Sequence, residues 1–461
     1  MADAAQVRGK GLGHGGAQAS QQPIPLVEDG RPWRRATAWL VGLSMFFYAS
    51  YSSSNWLASQ RAGVPVVVYQ WEHAIPFVAW MIIPYWSTNL LFAVSLLFCR
   101  SRPELDSHAK RLLTAQVVAV SCFILFPLRT SFPVPKLDGI FGFFFAALGA
   151  VDLPYNQAPS LHIAVTTILF ALYGKVLPRW AVPLFAGWSL LVVGSVLMTY
   201  QHHFIDIPTG FLLGLICIWM WPADGGNRLF HWRLTDDPQR RKIAGFYALA
   251  AGAIVLPAIL LGGGFLWLLW PATALGAVSL AYLALGCQIF AKSADGRIDW
   301  PSRLILAPYL AAAWLKARLW MTAGNRAVEV ADGVFLGRFP SARDCIEVKS
   351  VIDLSCAFAR PAFGGEWISI PMLDLATPDP GALCAAVDAI ERARARGAVL
   401  VCAGADHGQS AAVLAVWLVR SGRATHLGAG LDLLRNKDTR LVPTSAQVRV
   451  MTAAVQYALV G

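Results

Sequence analysis

The sequence predicts an α-helical polytopic membrane protein, with a six-span core and about two further spans, followed by a small soluble α/β domain. Two observations carry that fold class. Of 461 residues, 56% are hydrophobic and only 14% charged, and the mean hydropathy is +0.52, too apolar for a soluble chain of this length. As far as residue 290 the apolar residues also gather into runs near the ~20 residues that cross a bilayer. Beyond that point the pattern changes to short apolar strands between amphipathic helices.

Taken in order, residues 1–30 are rich in Gly, Ala and Gln, lack an apolar run, and read as a disordered tail rather than a cleavable signal. Apolar runs follow near 36–58, 78–99, 112–128, 160–177, 181–199 and 206–222, which make up a membrane core over 31–222. Two more, near 243–262 and 264–290, fall in a second region, 223–321. That region ends in an interfacial or re-entrant helix over 303–320, interrupted by Pro308. From about 322 to 461 the chain reads as α/β, with buried strands at 334–336, 351–354 and 399–401 and helices at 381–396, 410–421 and 443–458.

Charge orients this arrangement. The net charge is +11, but Arg and Lys sit between apolar runs and at their ends, where they meet anionic lipid, so nucleic-acid binding is the weaker reading. Basic clusters at Arg31, Arg34 and Arg35, at Arg100, Arg102, Lys110 and Arg111, at Lys175 and Arg179, and from Arg228 to Lys242 all fall on one side, which the positive-inside rule makes cytoplasmic. The loop 129–159 and the link from Tyr200 to Ile205 therefore share the other side. Eight cysteines lack CxxC spacing and indicate neither a disulfide framework nor a zinc site.

Two polar clusters carry the chemistry. Pro159-Ser160-Leu161-His162 heads the fourth apolar run, and His202, His203 and Asp206 precede the sixth. Ionisable groups beside membrane spans are costly and mark function. A neutral histidine can attack phosphorus in line to give a phosphohistidine that water or an alcohol resolves. The attack needs a carboxylate to fix the nucleophile's tautomer and a second histidine to protonate the leaving oxygen. Four residues apart, His202 and Asp206 share a face if the helix begins near His202, which makes His202 the nucleophile and Asp206 its orienter. Ser160 and the amides of the fourth run offer an anion site at a helix N-terminus, with His162 the general acid. His73 and His108 read as head-group contacts, and His203 as a bystander. No metal or cofactor is called for.

These residues resemble the type 2 phosphatidic acid phosphatase superfamily over roughly residues 70–222. The second motif, PSGH, matches Pro159 to His162 with Leu161 at the Gly. The third, SR-x5-H-x3-D, matches Ser195, His202 and Asp206 with Val196 at the Arg. Of the first motif, a Lys and an Arg-Pro pair, only Arg129, Pro133, Pro135 and Lys136 give a loose echo. The likeness is to the branch of inositol phosphorylceramide and sphingomyelin synthases, which implies a lipid substrate and allows hydrolysis or head-group transfer. It implies phosphate binding at Ser160 and Ser195, with Arg129, Lys136, backbone amides or His203 in place of the missing Arg at Val196.

The last domain resembles dual-specificity phosphatases, which use a Cys thiolate and an Arg six residues later. Cys402 is followed at that interval by Gly408, while alignment on Ser410 puts Ala403 at the Cys and Gln409 at the Arg. Without an Arg clamp the domain is expected to be a pseudophosphatase, Asp374 being the relic of a general acid. The fusion resembles bacterial membrane phosphatases, which implies an inner membrane, a periplasm-facing histidine site and a cytoplasmic C-terminal domain. Two competing expectations stand beside the enzyme: an inactive phospholipid sensor or scaffold, and a phosphatase working through Cys402.

Overall fold

In a computed structural model, residues 31–150, 152–320, 327–340, 348–404, 408–437 and 443–457 are described; the N-terminal tail, residues 1–30, lies outside them. The chain forms α1 (Trp33–Ser59), α2 (Ile82–Phe98), α3 (Arg102–Leu125), α4 (Gly139–Gly149), α5 (Leu161–Val176), α6 (Ala181–Met198) and α7 (Asp206–Met220), then α8 (Pro238–Leu261), α9 (Leu269–Leu280), α10 (Trp300–Ile305) and α11 (Ala307–Trp320). The C-terminal domain follows as β1 (Val328–Ala331), β2 (Val334–Gly337), β3 (Ser350–Ser355), β4 (Glu366–Met372), α12 (Pro380–Arg394), β5 (Val399–Cys402), α13 (Gly408–Arg420), α14 (Leu427–Arg435) and α15 (Ser445–Tyr457).

The helix starts obey local chemistry. Ser101 caps α3 by accepting from the Glu104 amide at 3.3 Å, while the Glu104 carboxylate reaches back to the Arg100 amide at 2.7 Å. Asp237 and Asp379 cap α8 and α12, each followed by a proline in the first turn. Gly286, at a φ of +64°, ends the helical run behind α9 in a conformation that suits glycine.

Among the described residues five helical segments are long and apolar enough to cross a membrane: Ala79–Phe98, Arg102–Leu125, Ala181–Met198, Pro238–Leu261 and Gly263–Phe290. Three of the eight expected spans differ. The α1 helix carries a polar run from Ser50 to Asn55, while α5 and α7 have 16 and 15 residues. Both short helices lie inside the bundle and begin at the two polar clusters. At 1.5 Å per residue they reach about 22–24 Å, less than a ~30 Å hydrocarbon core. The expected loop 129–159 contains the apolar helix α4, and the expected interfacial helix at 303–320 is two helices, broken at Leu306 ahead of Pro308.

One apolar cluster joins α1, α2, α3, α5 and α7 through residues such as Leu43, Leu105, Phe123, Ile168 and Cys217. The α5–α7 contact is closest at two glycines four residues apart. A Cβ on Gly210 would lie 3.0 Å from the Ile163 Cβ and against the Ser160 carbonyl, and one on Gly214 would lie 2.6 Å from the Thr167 Cβ. This small-residue stripe lets the helices that carry the two polar clusters pack backbone to backbone.

The C-terminal sheet has the order β1-β2-β5-β3-β4, with only β1 antiparallel to its neighbour. Its central strands are buried on both faces: Val399 and Val401 pack with α12, α13 and α15, while Leu400 and Cys402 face Val351 and Trp367. That alternation is the pleat's period of two, and the all-apolar strands are what a covered parallel sheet requires. The domain also takes in chain from before its expected boundary at 322. Ser369 N–H donates to Ala294 O and Arg360 N–H to Gly296 O, both at 2.8 Å. Lys292 Nζ, fully buried, meets Asp353 Oδ2 at 2.5 Å.

Candidate functional site

The two polar clusters meet at one end of α5 and α7. Ser160 caps α5, its hydroxyl accepting from the Ile163 amide at 3.5 Å, and its own N–H donates to Asp206 O at 3.1 Å. His202 Nε2 lies 3.5 Å from Ser160 Oγ, and its Nδ1 lies 3.0 Å from Asp206 Oδ2. An ionised carboxylate only accepts, so in the neutral ring paired with one the proton sits on Nδ1 and the lone pair on Nε2, the nitrogen toward Ser160. The helix does not begin at His202, as the sequence reading supposed. It begins at Asp206, behind a turn closed by the Asp206 N–H donating to His203 O at 3.1 Å, while the His202 N–H donates back to Val196 O at 3.0 Å. The pairing survives because the turn brings the same two side chains together, with the His203 N–H donating to the same Asp206 Oδ2 at 3.0 Å. Asp206 Oδ1 is buried with no hydrogen-bond partner among the described residues.

The adjacent histidine is built differently. His203, 2% exposed, directs Nδ1 to Glu72 Oε2 at 3.3 Å, while its Nε2 accepts from the Ser131 N–H at 3.1 Å. Glu72 also takes the Phe204 N–H at 2.8 Å and the Tyr69 N–H at 2.7 Å. Both nitrogens of His203 are thus engaged, and the residue fastens the link 200–205 to the segments around 72 and 131. Its place in the structure is that of a clamp.

His162 stacks on Tyr85 with ring centroids 4.0 Å apart and stands T-shaped to the His202 ring at 6.1 Å. It borders an apolar cavity of about 140 Å³ between α1, α2, α3 and α5, lined by Phe47, Tyr51, Phe92, Leu112, Leu161 and Val165 among others. Sequence reasoning missed Asp152, which accepts from Tyr51 Oη and Asn55 Nδ2, both at 3.2 Å. Burial pushes its carboxyl pKa up, with nearby His202 opposing. The available signal was scarcity: Glu72 is the sole carboxylate between Asp29 and Glu104, and Asp152 the sole one between Asp138 and Asp206.

The other residues expected to contact phosphate have local partners or face solvent. Ser195 is fully buried and its hydroxyl donates to Val192 O at 2.7 Å, so its own helix occupies it. Arg129 is exposed and donates through Nε to Val64 O at 3.2 Å, and Lys136 is exposed. Among the described residues no hydrogen bond or ion pair joins either cation to the histidines. His108 is not a head-group contact: it is 1% exposed on α3, with Nε2 2.8 Å from Ser95 Oγ. His73 is exposed and meets the Phe132 ring edge-on at 5.2 Å. No group of three or more metal-ligating side chains is found among the described residues.

At the C-terminal site, Cys402 ends β5 fully buried, and burial together with Asp353 pushes its thiol pKa well above the ordinary value. A Cβ on Gly404 would lie 2.5 Å from Asp374 Oδ2, so a carboxylate stands over the loop that follows the cysteine. Gln409 holds it there, donating to Leu373 O at 2.7 Å and to Ala376 O at 2.8 Å. Residues 405–407 lie outside the described residues.

No protein-family model matches the chain, and no curated protein matches it. Solved structures similar to it include Tk-PTP in the active form, at 23% identity over 30% of this chain and 99% of that one, with a TM-score of 0.26. PTPMT1 in complex with PI(5)P is similar at 16% identity over 29% and 96%, TM-score 0.26, and human DUSP28 at 24% over 29% and 98%, TM-score 0.24.

Proposed function

We propose that residues 31–222 are a membrane enzyme that hydrolyses or transfers a phosphate-linked lipid head group through a phosphohistidine on His202. The observation that carries this reading is the His202 ring, proton-fixed by Asp206 with Nε2 open toward the hydroxyl that starts α5. In the first step Nε2 attacks phosphorus and the phosphorus–oxygen bond to the leaving group breaks. The leaving oxygen takes a proton from His162, while Asp206 supports the charge gained by the His202 ring. In the second step water or an alcohol, deprotonated by His162, displaces His202. The Ser160 hydroxyl and the amides of the first α5 turn receive the phosphoryl oxygens.

Two features favour a lipid phosphodiester over a phosphate monoester. The cavity beside His162 is apolar and suits an acyl chain, and among the described residues no Lys or Arg is bonded to the carboxylates Glu72, Asp152 and Asp206, a setting kinder to one negative charge than to two. On this reading the site faces outward, the C-terminal domain lies on the cytoplasmic side, and that domain is a pseudophosphatase. Asp374 over Gly404 would repel an anion, and a protonated buried Cys402 is a poor nucleophile. The test is a panel of phospholipids and lipid phosphates given to the purified protein with and without an alcohol acceptor. Release or transfer of a head group that disappears in Asp206→Asn supports the proposal, and equal turnover in that variant overturns it.

A further inference from the structure

Cys287 lies in the short turn Gly286–Phe290 that closes the run behind α9, and Cys356 directly follows β3 in the C-terminal domain. Their sulfurs stand 2.8 Å apart, closer than unbonded thiols ordinarily rest and within reach of the ~2.05 Å of a disulfide. The two residues are 69 positions apart in sequence and belong to different parts of the fold. One apolar cluster holds both, Cys356 buried within it and Cys287 half-buried against it.

The approach is braced on both sides by bonds between the same two parts of the chain. Tyr282 Oη donates to Asp374 O at 2.9 Å, five residues before Cys287. Lys292 Nζ, five residues after it, holds Asp353 Oδ2 and donates to Ser355 O at 2.7 Å, the residue beside Cys356. These bonds hold the two segments that carry the sulfurs against each other. Burial raises the Cys356 thiol pKa well above its ordinary value, and the Cys287 sulfur beside it adds to the shift, so Cys287, the more exposed partner, is the one an oxidant meets first.

We propose that Cys287 and Cys356 are a modification site, a reversible disulfide that staples the C-terminal domain to the helical bundle. The oxidant is a low-molecular-weight disulfide. The Cys287 thiolate attacks one of its sulfurs and releases one thiol, giving a mixed disulfide. Cys356 then loses its proton and attacks the Cys287 sulfur, releasing the second thiol; two electrons and two protons pass from the cysteines to the oxidant. Intracellular disulfides of this kind are characteristically transient and redox-sensing. The proposal is independent of the reaction at His202.

The experiment uses the full chain in detergent, reduced, desalted, and incubated with oxidised glutathione. The protein is then acid-quenched, denatured, and labelled with a polyethylene-glycol maleimide. Of the eight cysteines, the wild type should lose two maleimide additions on oxidation. A digest should yield one linked peptide pair spanning residues 287 and 356, and reductant should reverse both effects. Cys287→Ser, with seven thiols, should lose none; Cys356→Ser, which lacks the resolving thiol, should lose at most one, held as glutathione on Cys287, and the rise in unfolding temperature expected of the oxidised wild type should vanish in both. Cys287→Ala serves the same purpose if the serine disturbs the apolar cluster. Unchanged labelling of oxidised wild type, a loss of two that persists in either single variant, or glutathione retained on Cys287 of the wild type would each overturn the proposal.

Discussion

His202 and His203 are consecutive in sequence and have opposite chemical prospects, and the difference lies in what each Nε2 faces. In His202 it faces a hydroxyl at a helix start, and in His203 it accepts the Ser131 amide. Asp206→Asn keeps the shape but no longer fixes the tautomer, and kcat should fall by roughly 10²–10⁴-fold in a head-group release assay. His203→Ala should instead remove its hydrogen bond to the buried Glu72 carboxylate, which keeps the Phe204 and Tyr69 amides. Loss of about 1–3 kcal/mol of stability in thermal unfolding is expected, with phosphorylation still at His202. At the other site, Cys402 should resist iodoacetamide in the native protein at pH 8, since burial keeps the thiol protonated, and Cys402→Ser should turn over lipid at the wild-type rate. Rapid native alkylation of Cys402, read by peptide mass, would contradict that assignment.

The elements show how much of the site could be read in advance. The intervals Pro159 to His162 and His202 to Asp206 name the pairing residues because each is local, within one turn. Glu72 and Asp152 were not legible from local intervals, because their partners lie 131 and 101 residues away, at His203 and Tyr51. Strand β4 and helix α4 escaped for related reasons. The β4 strand has a half-buried pattern at one edge of the sheet, and α4 is a short apolar helix amid prolines and glycines. The Gly210 and Gly214 stripe was visible, but its role depends on α7 packing against α5. Each added Cβ there collides with backbone or a β-branched side chain. Gly210→Ala should therefore cost roughly 1–3 kcal/mol in thermal unfolding and lower kcat more than it raises KM, since it pushes Ser160 from His202. Normal activity with lowered stability would detach the packing from the chemistry.

Across the whole molecule, the histidine cluster and the C-terminal domain occupy opposite ends of α7. Asp206 starts that helix at the site, and Trp219 near its far end donates to Ile289 O at 3.1 Å in the cluster shared with Cys356 and Leu373. Fifteen residues of helix separate them by about 22 Å. The segment 291–299, ahead of the expected boundary at 322, bonds to the C-terminal domain through single side chains and backbone groups rather than through an apolar pattern. Lys292→Ala should leave Asp353 buried without its cation, at a cost of about 3–5 kcal/mol. Limited proteolysis should then cut the C-terminal domain sooner than in the wild type.

The most direct measurement of the central claim is to trap the covalent intermediate. The purified protein is mixed with a phospholipid carrying a labelled phosphate, quenched in alkali to preserve phosphohistidine, and mapped by mass. Label on His202, absent in His202→Ala and lost on adding water or an alcohol acceptor over time, is the predicted result. Label on any other residue, or wild-type turnover in His202→Ala, would contradict the account.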